Sequence, residues 1–338
     1  MYKNTPLSLF ILTCLIFFYL PPHNADASGT EEIQIQKPLP GKSAKTRTSR
    51  LEEISLTLET GYRVDQLDWN HASDRTGNTT PNIRSELTWE DIESYQLRAA
   101  GRITHKMGRL PFSATYRGYI SSGLIVDGMN QDSDYNGNDR AQEFSRSNNS
   151  SDDGSVFDTQ FGLGFTFRPS PKRFHISPLF GWSYHEQNLT MTDGDQTIPA
   201  TGSFSGLDSS YNSQWYGLWT GAEIEFMPIN KLALTGSLEL HSVKYYAEAN
   251  WNLRNDLKHP NSFEHNADEG SGIVLNLGGK YIFGKKWSLN LALNYSKWQM
   301  ENGTHTFHMS SGANVTYRLN EVNWESFSSM VGVKYRFK

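Results

Sequence analysis

Asp127, Asp132 and Asp134 stand close together in GLIVDGMNQDSDYNG, residues 123–137, directly after an alternating, strand-like run. Carboxylates gathered in this way could supply half of a catalytic site, provided that groups elsewhere in the chain face them across a shared space. They could also hold a calcium ion weakly, because DSDYNGND at 132–139 offers oxygen ligands at alternate positions. The bidentate glutamate that closes the calcium loop of a helix-loop-helix site is missing at its spacing. The ordinary reading of such a segment is a solvated external loop, with Asp139 and Glu143 in the same acidic run and Arg146 pairing with its carboxylates. Other chemistries find little support. His105, His175 and His185 are isolated, and no His-x-x-x-His or cysteine cluster suggests zinc. Neither a glycine-rich phosphate loop nor a Gly-x-Ser-x-Gly elbow occurs.

The elements that must position the aspartates read as β-strands. Apolar residues recur at every second position in Ile54, Leu56, Leu58 and in Phe161, Leu163, Phe165, Phe167. The same period runs through Leu232–Leu240, Ile273–Phe283, Trp287–Tyr295 and Val331–Phe337. A soluble sandwich alternates too, so the connections must decide. Short ones carrying Pro, Gly and Lys or Arg (HKMGRLP, RPSPKR, MPINK, FGKKW) alternate strictly with long ones rich in Asn, Asp, Ser, Thr and Gly, at 69–84, 121–155, 190–210, 249–268 and 301–318. That alternation belongs to outer-membrane barrels, with tight periplasmic turns and long external loops. Five long and four short connections predict an all-β, ten-stranded antiparallel transmembrane β-barrel over 51–338, with both termini in the periplasm.

Targeting signals agree. Residues 1–27 combine Lys3, an apolar run from Leu7 to Leu20 and a small-residue ending at Ala27, which predicts a secretory signal peptide. The single cysteine, Cys14, lies inside it, so the mature chain is expected to carry no disulfide and no thiolate chemistry. Residues 28–50 are polar and interrupted by proline, and predict a flexible periplasmic segment. A net charge of −5 offers no basic face for nucleic acid.

Further expectations follow for the barrel. Strands over 85–104 and 231–250 exceed the roughly 9–11 residues that cross a bilayer, so the barrel projects above it. Trp69, Trp89, Tyr184, Trp215, Tyr245, Tyr246, Trp251 and Trp298, near strand ends, are expected in interfacial girdles. Arg84, Glu86, Glu90, Arg98, Arg102, Glu223, Glu225, Glu239 and Lys244 are expected to pair across the lumen and plug it. Open aqueous channels belong to barrels of about 16 strands, which disfavours a general porin.

GYRVDQLDWN at 61–70, sharpest in its Gln66–Trp69 stretch, LTWEDIESYQLRAAGR at 87–102, GLIVDG at 123–128 and the ten-strand layout resemble the omptins, outer-membrane proteases of Gram-negative bacteria. The acidic segment is also similar to that of omptin-like outer-membrane proteins of the Protochlamydia type. The resemblance spans the chain from about Leu51 to its end. It implies an Asp-x-Asp pair on one rim and an Asp-x-His pair on the other, with a water held between them. The histidine would take a proton from that water while the opposite carboxylates hold it and the tetrahedral intermediate. Alignment on GLIVDG sets Asp127 at the first aspartate and Met129 at the second; alignment on QDSDY sets Asp132 and Asp134 there, with a short insertion.

An ungapped count from Gly236 sets Asn250 and Asn252 at the Asp-x-His positions, and asparagine takes no proton from water near neutral pH. Asp256 and His259 are the substitutes, although their i, i+3 spacing sets them on opposite faces of a strand; His265 is a further candidate. The expected protein is therefore an omptin-like surface barrel with a degenerate protease site and a structural, adhesive or ligand-binding role through 121–155 and 249–268. The alternatives are an active endopeptidase and a small channel. No cofactor or metal is expected. Lipopolysaccharide is implied as an activating lipid, and the expected partners are outer-membrane lipids and an extracellular peptide or protein.

Overall fold

The computed structural model describes residues 50–108, 110–169 and 173–338. The expected signal peptide and all but the last residue of the expected polar lead-in lie outside them. The strands are β1 (Arg50–His71), β2 (Ser85–Lys106), β3 (Phe112–Tyr135), β4 (Glu143–Ser150), β5 (Gly154–Phe167), β6 (Phe174–Ile198), β7 (Ala200–Ser203), β8 (Ser209–Ile229), β9 (Leu232–Asn250), β10 (Phe263–Ile282), β11 (Trp287–His308) and β12 (Asn314–Arg336). All pair antiparallel in one sheet, and β1 pairs with both β2 and β12, which closes the ring. β4 and β5 lie in series between β3 and β6, and β7 pairs only with β6. Twelve strands thus occupy ten positions around the barrel. The short connections and both ends of the described chain share one end of it, which in an outer-membrane barrel is the periplasmic one.

Each full strand is about twice the length a bilayer needs, and its two halves differ in which face is apolar. In the periplasmic half the outward side chains are apolar: Leu97 is 70 % exposed, Leu124 69 % and Leu218 68 %. Above that band the apolar side chains turn inward. On β9, Leu238 and Leu240 face out while Glu239 and His241 face in; farther along, Lys244 and Glu248 are exposed while Val243, Tyr245 and Ala247 are buried. The pleat does not change, because successive side chains still alternate. What changes is the medium outside, from lipid to water, so the apolar set moves to the opposite face.

This inversion corrects three expectations. Trp69, Trp89, Trp215, Tyr245 and Trp298 are buried inside the outer half, not set in a girdle. They belong to one apolar cluster with contributions from all ten ring positions, including Ile125, Val156, Leu189 and Trp324. Outward-facing aromatics such as Tyr95, Trp182, Phe180 and Trp287 stand against the lipid instead. Second, polar composition marked where strands leave the membrane rather than where they end. β3 continues to Tyr135 and β6 to Ile198, deep into the expected loops at 121–155 and 190–210. Third, only part of the expected charge lattice lies in the lumen. Glu90 and Lys244 are exposed, Lys244 pairing with Asp268 at 2.6 Å, while Arg84 and Glu86 bond to the neighbouring rim through Asn136, Tyr135 and Arg140.

The lattice itself is dense. Arg98 meets Glu59 at 2.7 Å, Arg102 meets Glu223 at 2.5 Å, and Lys280 meets Glu225 at 2.7 Å. Arg117 bridges Glu239 and Glu223, and Gln160 donates to Glu239 at 2.7 Å. At its top the buried Arg63 spans Asp65 and Asp158, 2.6 and 2.9 Å away, and the second oxygen of Asp158 holds His185 Nδ1 at 2.9 Å. Charges removed from water in this way need one another, since removing one partner strands the other.

Candidate functional site

Asp132 and Asp134 are two residues apart on β3, so both project to the same face. The register places them opposite Leu87 and Ser85 of β2, and that face is the lumen side. A register shift near Glu93 separates them from Asp127, which is exposed, lies opposite Glu93 and accepts the Gly128 backbone N–H at 2.9 Å. The structure therefore brings together Asp132 and Asp134 and leaves Asp127 apart.

The pair forms one wall of a cavity of about 640 Å³ at the outer mouth. Its floor is the top of the apolar cluster, with Trp69, Leu87 and Phe263, and its other walls carry His71, His305, Phe307, Trp251, Arg254 and Tyr317. These groups stand above the lipid-facing band, where water reaches the rim. Burial pushes the Asp132 carboxyl up to about 8, the adjacent Asp134 adding to the shift and Arg254 opposing it. Burial also raises Asp134, against hydrogen bonding from Ser85 and the charges of Arg84 and Arg254. At neutral pH the pair therefore shares a proton, in the way two adjacent carboxyls do when both cannot ionise.

A chain of hydrogen bonds ends on the facing wall. Tyr245 Oη and Tyr211 Oη lie 2.5 Å apart, Tyr211 Oη is 2.8 Å from His265 Nδ1, and His265 Nε2 is 2.6 Å from His305 Nδ1. His265 and His305 are direct cross-strand neighbours on β10 and β11. The His305 ring stacks on His71 with centroids 4.2 Å apart, and His71 Nδ1 bonds the Ala72 carbonyl at 2.7 Å. Burial drives His71 down to about 4 and His265 and His305 well below the usual histidine range, so all three are neutral at pH 7. His305 Nε2 is buried with no hydrogen-bond partner among the described residues.

The other sequence candidates occupy the loop at 251–262. Asp256 is exposed and grips Arg254 through two bonds of 2.8 Å, and His259 Nδ1 lies 2.8 Å from Asn250 Oδ1. Neither Asp256 nor His259 lines the cavity. Asn252 ties this loop to the β7–β8 connection, accepting from Asp208 N and Ser209 Oγ at 3.0 Å each and donating to the Gly206 carbonyl at 2.6 Å. No carboxylate is bonded to His71, His265 or His305 among the described residues. The cavity thus holds an acid pair and two neutral imidazoles, His71 and His305, without an aspartate that would orient and charge either. His71 and His305 were not singled out from the sequence. The signal was there only as inward parity in two strands whose pairing is not local.

Comparison with known proteins sets this geometry in context. A family model described as Protochlamydia outer membrane protein matches residues 57–337. No curated protein matches the chain at a significant level. Among solved structures, the outer membrane protease OmpT from Escherichia coli superposes with a TM-score of 0.68 at 13 % identity, covering 87 % of this chain and 100 % of that one. The translocator domain of the autotransporter NalP from Neisseria meningitidis (TM-score 0.32, 15 % identity, 87 % and 90 % covered) is far more distant. So is OprG from Pseudomonas aeruginosa (0.31, 10 %, 84 % and 95 %). At such identities the likeness to OmpT concerns the fold alone.

Proposed function

The chain belongs to the Protochlamydia outer membrane protein family, and from that premise we propose that this outer-membrane barrel is a surface binding protein whose outer cavity takes a cationic side chain of an extracellular peptide or protein. One observation carries the reading: the chain's own Arg254 already stands at that place. Its guanidinium lies 6.0 Å from the Phe307 ring centroid, Arg254 lines the same cavity as Asp132 and Asp134, and its charge opposes the rise that burial imposes on both carboxyls. An acid pair set among aromatic rings favours a guanidinium or ammonium through charge and cation–π attraction. Arg254 is bound to the exposed Asp256, so an incoming cation can displace it without leaving it unpaired. Titration of a labelled arginine-containing peptide into the refolded barrel, with and without lipopolysaccharide as the proposed activating lipid, tests this. Binding should fall at least tenfold in Asp132→Asn/Asp134→Asn and rise in Arg254→Ala. Equal binding of an acidic peptide of the same length would sink the reading.

A second reading, an endopeptidase, draws support from His305. His305 lines the same cavity as the acid pair and its Nε2 is without a hydrogen-bond partner among the described residues, so a neutral imidazole is available there as a proton acceptor. Cleavage of a fluorogenic peptide that survives His259→Ala but is lost in His305→Ala would favour it. Silence from a folded barrel that still binds the peptide would leave binding as the function.

A further inference from the structure

The periplasmic half of the lumen contains a second and larger cavity, of about 1440 Å³, reaching from the Trp298–Trp324 layer down to the turn residues Gly108, Gly284 and Lys286. Thirteen lysines and arginines line it, against seven carboxylates. Each of the seven carboxylates has a different cation within 3.0 Å, from Glu52 with Arg168 at the bottom to Asp158 at the top with Arg63, which also holds the buried Asp65. These seven pairs leave six cations over: Arg50, Lys106, Lys285, Lys286, Arg336 and Lys338. None has a carboxylate partner among the described residues.

Their distribution is not even. Arg50 opens β1, Lys106 closes β2, Arg336 ends β12 with Lys338 two residues beyond it, and Lys285 and Lys286 lie in the turn between β10 and β11. In the ring these strands are consecutive, in the order β2, β1, β12, β11, β10. The six positive charges therefore sit on one arc of a single mouth, in a chain whose net charge is −5. The neighbouring contacts do not neutralise them. Lys286 lies 5.7 Å from the Tyr335 ring, and Arg336 donates to the Lys285 carbonyl at 3.3 Å, which orients both heads at the rim.

We propose that this periplasmic vestibule binds a compact polyanion, one bearing two or more phosphate or carboxylate groups. A cavity of this size exceeds the roughly 300–1,000 Å³ of ordinary small-molecule sites. Every carboxylate of its deep lattice is already bonded to a cation, so a ligand's charge meets attraction at the mouth and no unpaired carboxylate farther in. Several cations acting on one multivalent anion favour it over a monovalent one, and the attraction weakens as added salt screens it.

The test uses the full mature protein in a neutral detergent at low salt, with inorganic triphosphate, citrate and monophosphate as probes in isothermal titration calorimetry. Triphosphate or citrate should bind, monophosphate at least tenfold more weakly, and the affinity should fall as sodium chloride is raised. Which of the two polyanions binds tighter tells phosphate from carboxylate as the preferred group. Lys106→Gln/Lys285→Gln/Lys286→Gln should cost at least tenfold, whereas Lys285→Arg/Lys286→Arg, which keeps the charge, should retain the affinity and shows that the rim tolerates substitution. No binding of either polyanion, or unchanged affinity in the triple glutamine variant, would overturn the proposal.

Discussion

The two halves of this barrel are built from the same ten strand positions but opposite packing rules. In the membrane half lipid accepts Leu58, Leu97 and Leu291 on the outside, and paired charges fill the inside. In the outer half water takes the charges, and tryptophans pack inside as in the core of a soluble protein. The difference teaches that side-chain alternation on a strand is conserved while its polarity is set by whatever medium borders each face.

Two substitutions should hurt most, one in each half, by different mechanisms. Arg63→Ala leaves Asp65 and Asp158 buried without their cation and should cost about 3–5 kcal/mol, read from the urea midpoint in detergent. Trp298→Ala should cost a similar amount, about 3–5 kcal/mol, by leaving a cavity in the aromatic layer. Only the second is expected to join the outer and periplasmic cavities. Discrete conductance steps should then appear in planar bilayers for Trp298→Ala and not for Arg63→Ala or the parent. Steps in the parent would mean that the aromatic layer parts on its own, and the small channel would return as the function.

Gly272 sharpens the same contrast on a smaller scale. A Cβ there would lie 2.3 Å from Trp298 Cε3, so Gly272→Ala should cost about 1–3 kcal/mol. Gly279, lower on the same strand, faces open space, and alanine there should leave the urea midpoint close to the parent's.

The outer half should also be the pH-sensitive one at its rim. Asp132 has its folded pKa raised, so the stability linked to it is full below the unfolded value of 3.8 and is lost as pH rises through about 8. His71 is shifted down, so its contribution is full above 6.5 and is lost as pH falls through about 4. The protection of rim amides, taken as measured exchange relative to the intrinsic rate at each pH, should therefore fall toward both ends of that range. Asp132→Asn should abolish the alkaline limb and leave the acid limb, and an unchanged alkaline limb would assign it to another group. The smallest effect is expected for Lys244→Ala, whose pair with Asp268 is exposed and screened, with no measurable change in the urea midpoint.

How much of this was legible in the chain can be argued residue by residue. Strand existence was legible at Phe161–Phe167 and Trp287–Tyr295, because one apolar face at period two is a local property. Strand ends were not. Asp132 and Asp134 read as a loop because they are polar, yet they are strand residues that face the cavity, with Ser133 and Tyr135 buried on the other side of the strand. The site was legible on one side only. The acid pair announces itself by its i, i+2 spacing, whereas His265 and His305 meet across β10 and β11 from positions 40 residues apart.

By itself, then, the sequence determined a ten-position barrel, its up-and-down order and its outer-membrane setting, since these rest on period-two alternation and on connection lengths that any reader of the chain can count. Only the tertiary structure decided which face of each strand is dry, that Trp69, Trp89 and Trp298 form an internal layer rather than a girdle, and that neutral histidines rather than Asp256 and His259 face the acid pair. The physical reason is that alternation specifies two faces without naming their surroundings. Closure of the ring and the height of the membrane assign those surroundings, and both are properties of the whole chain.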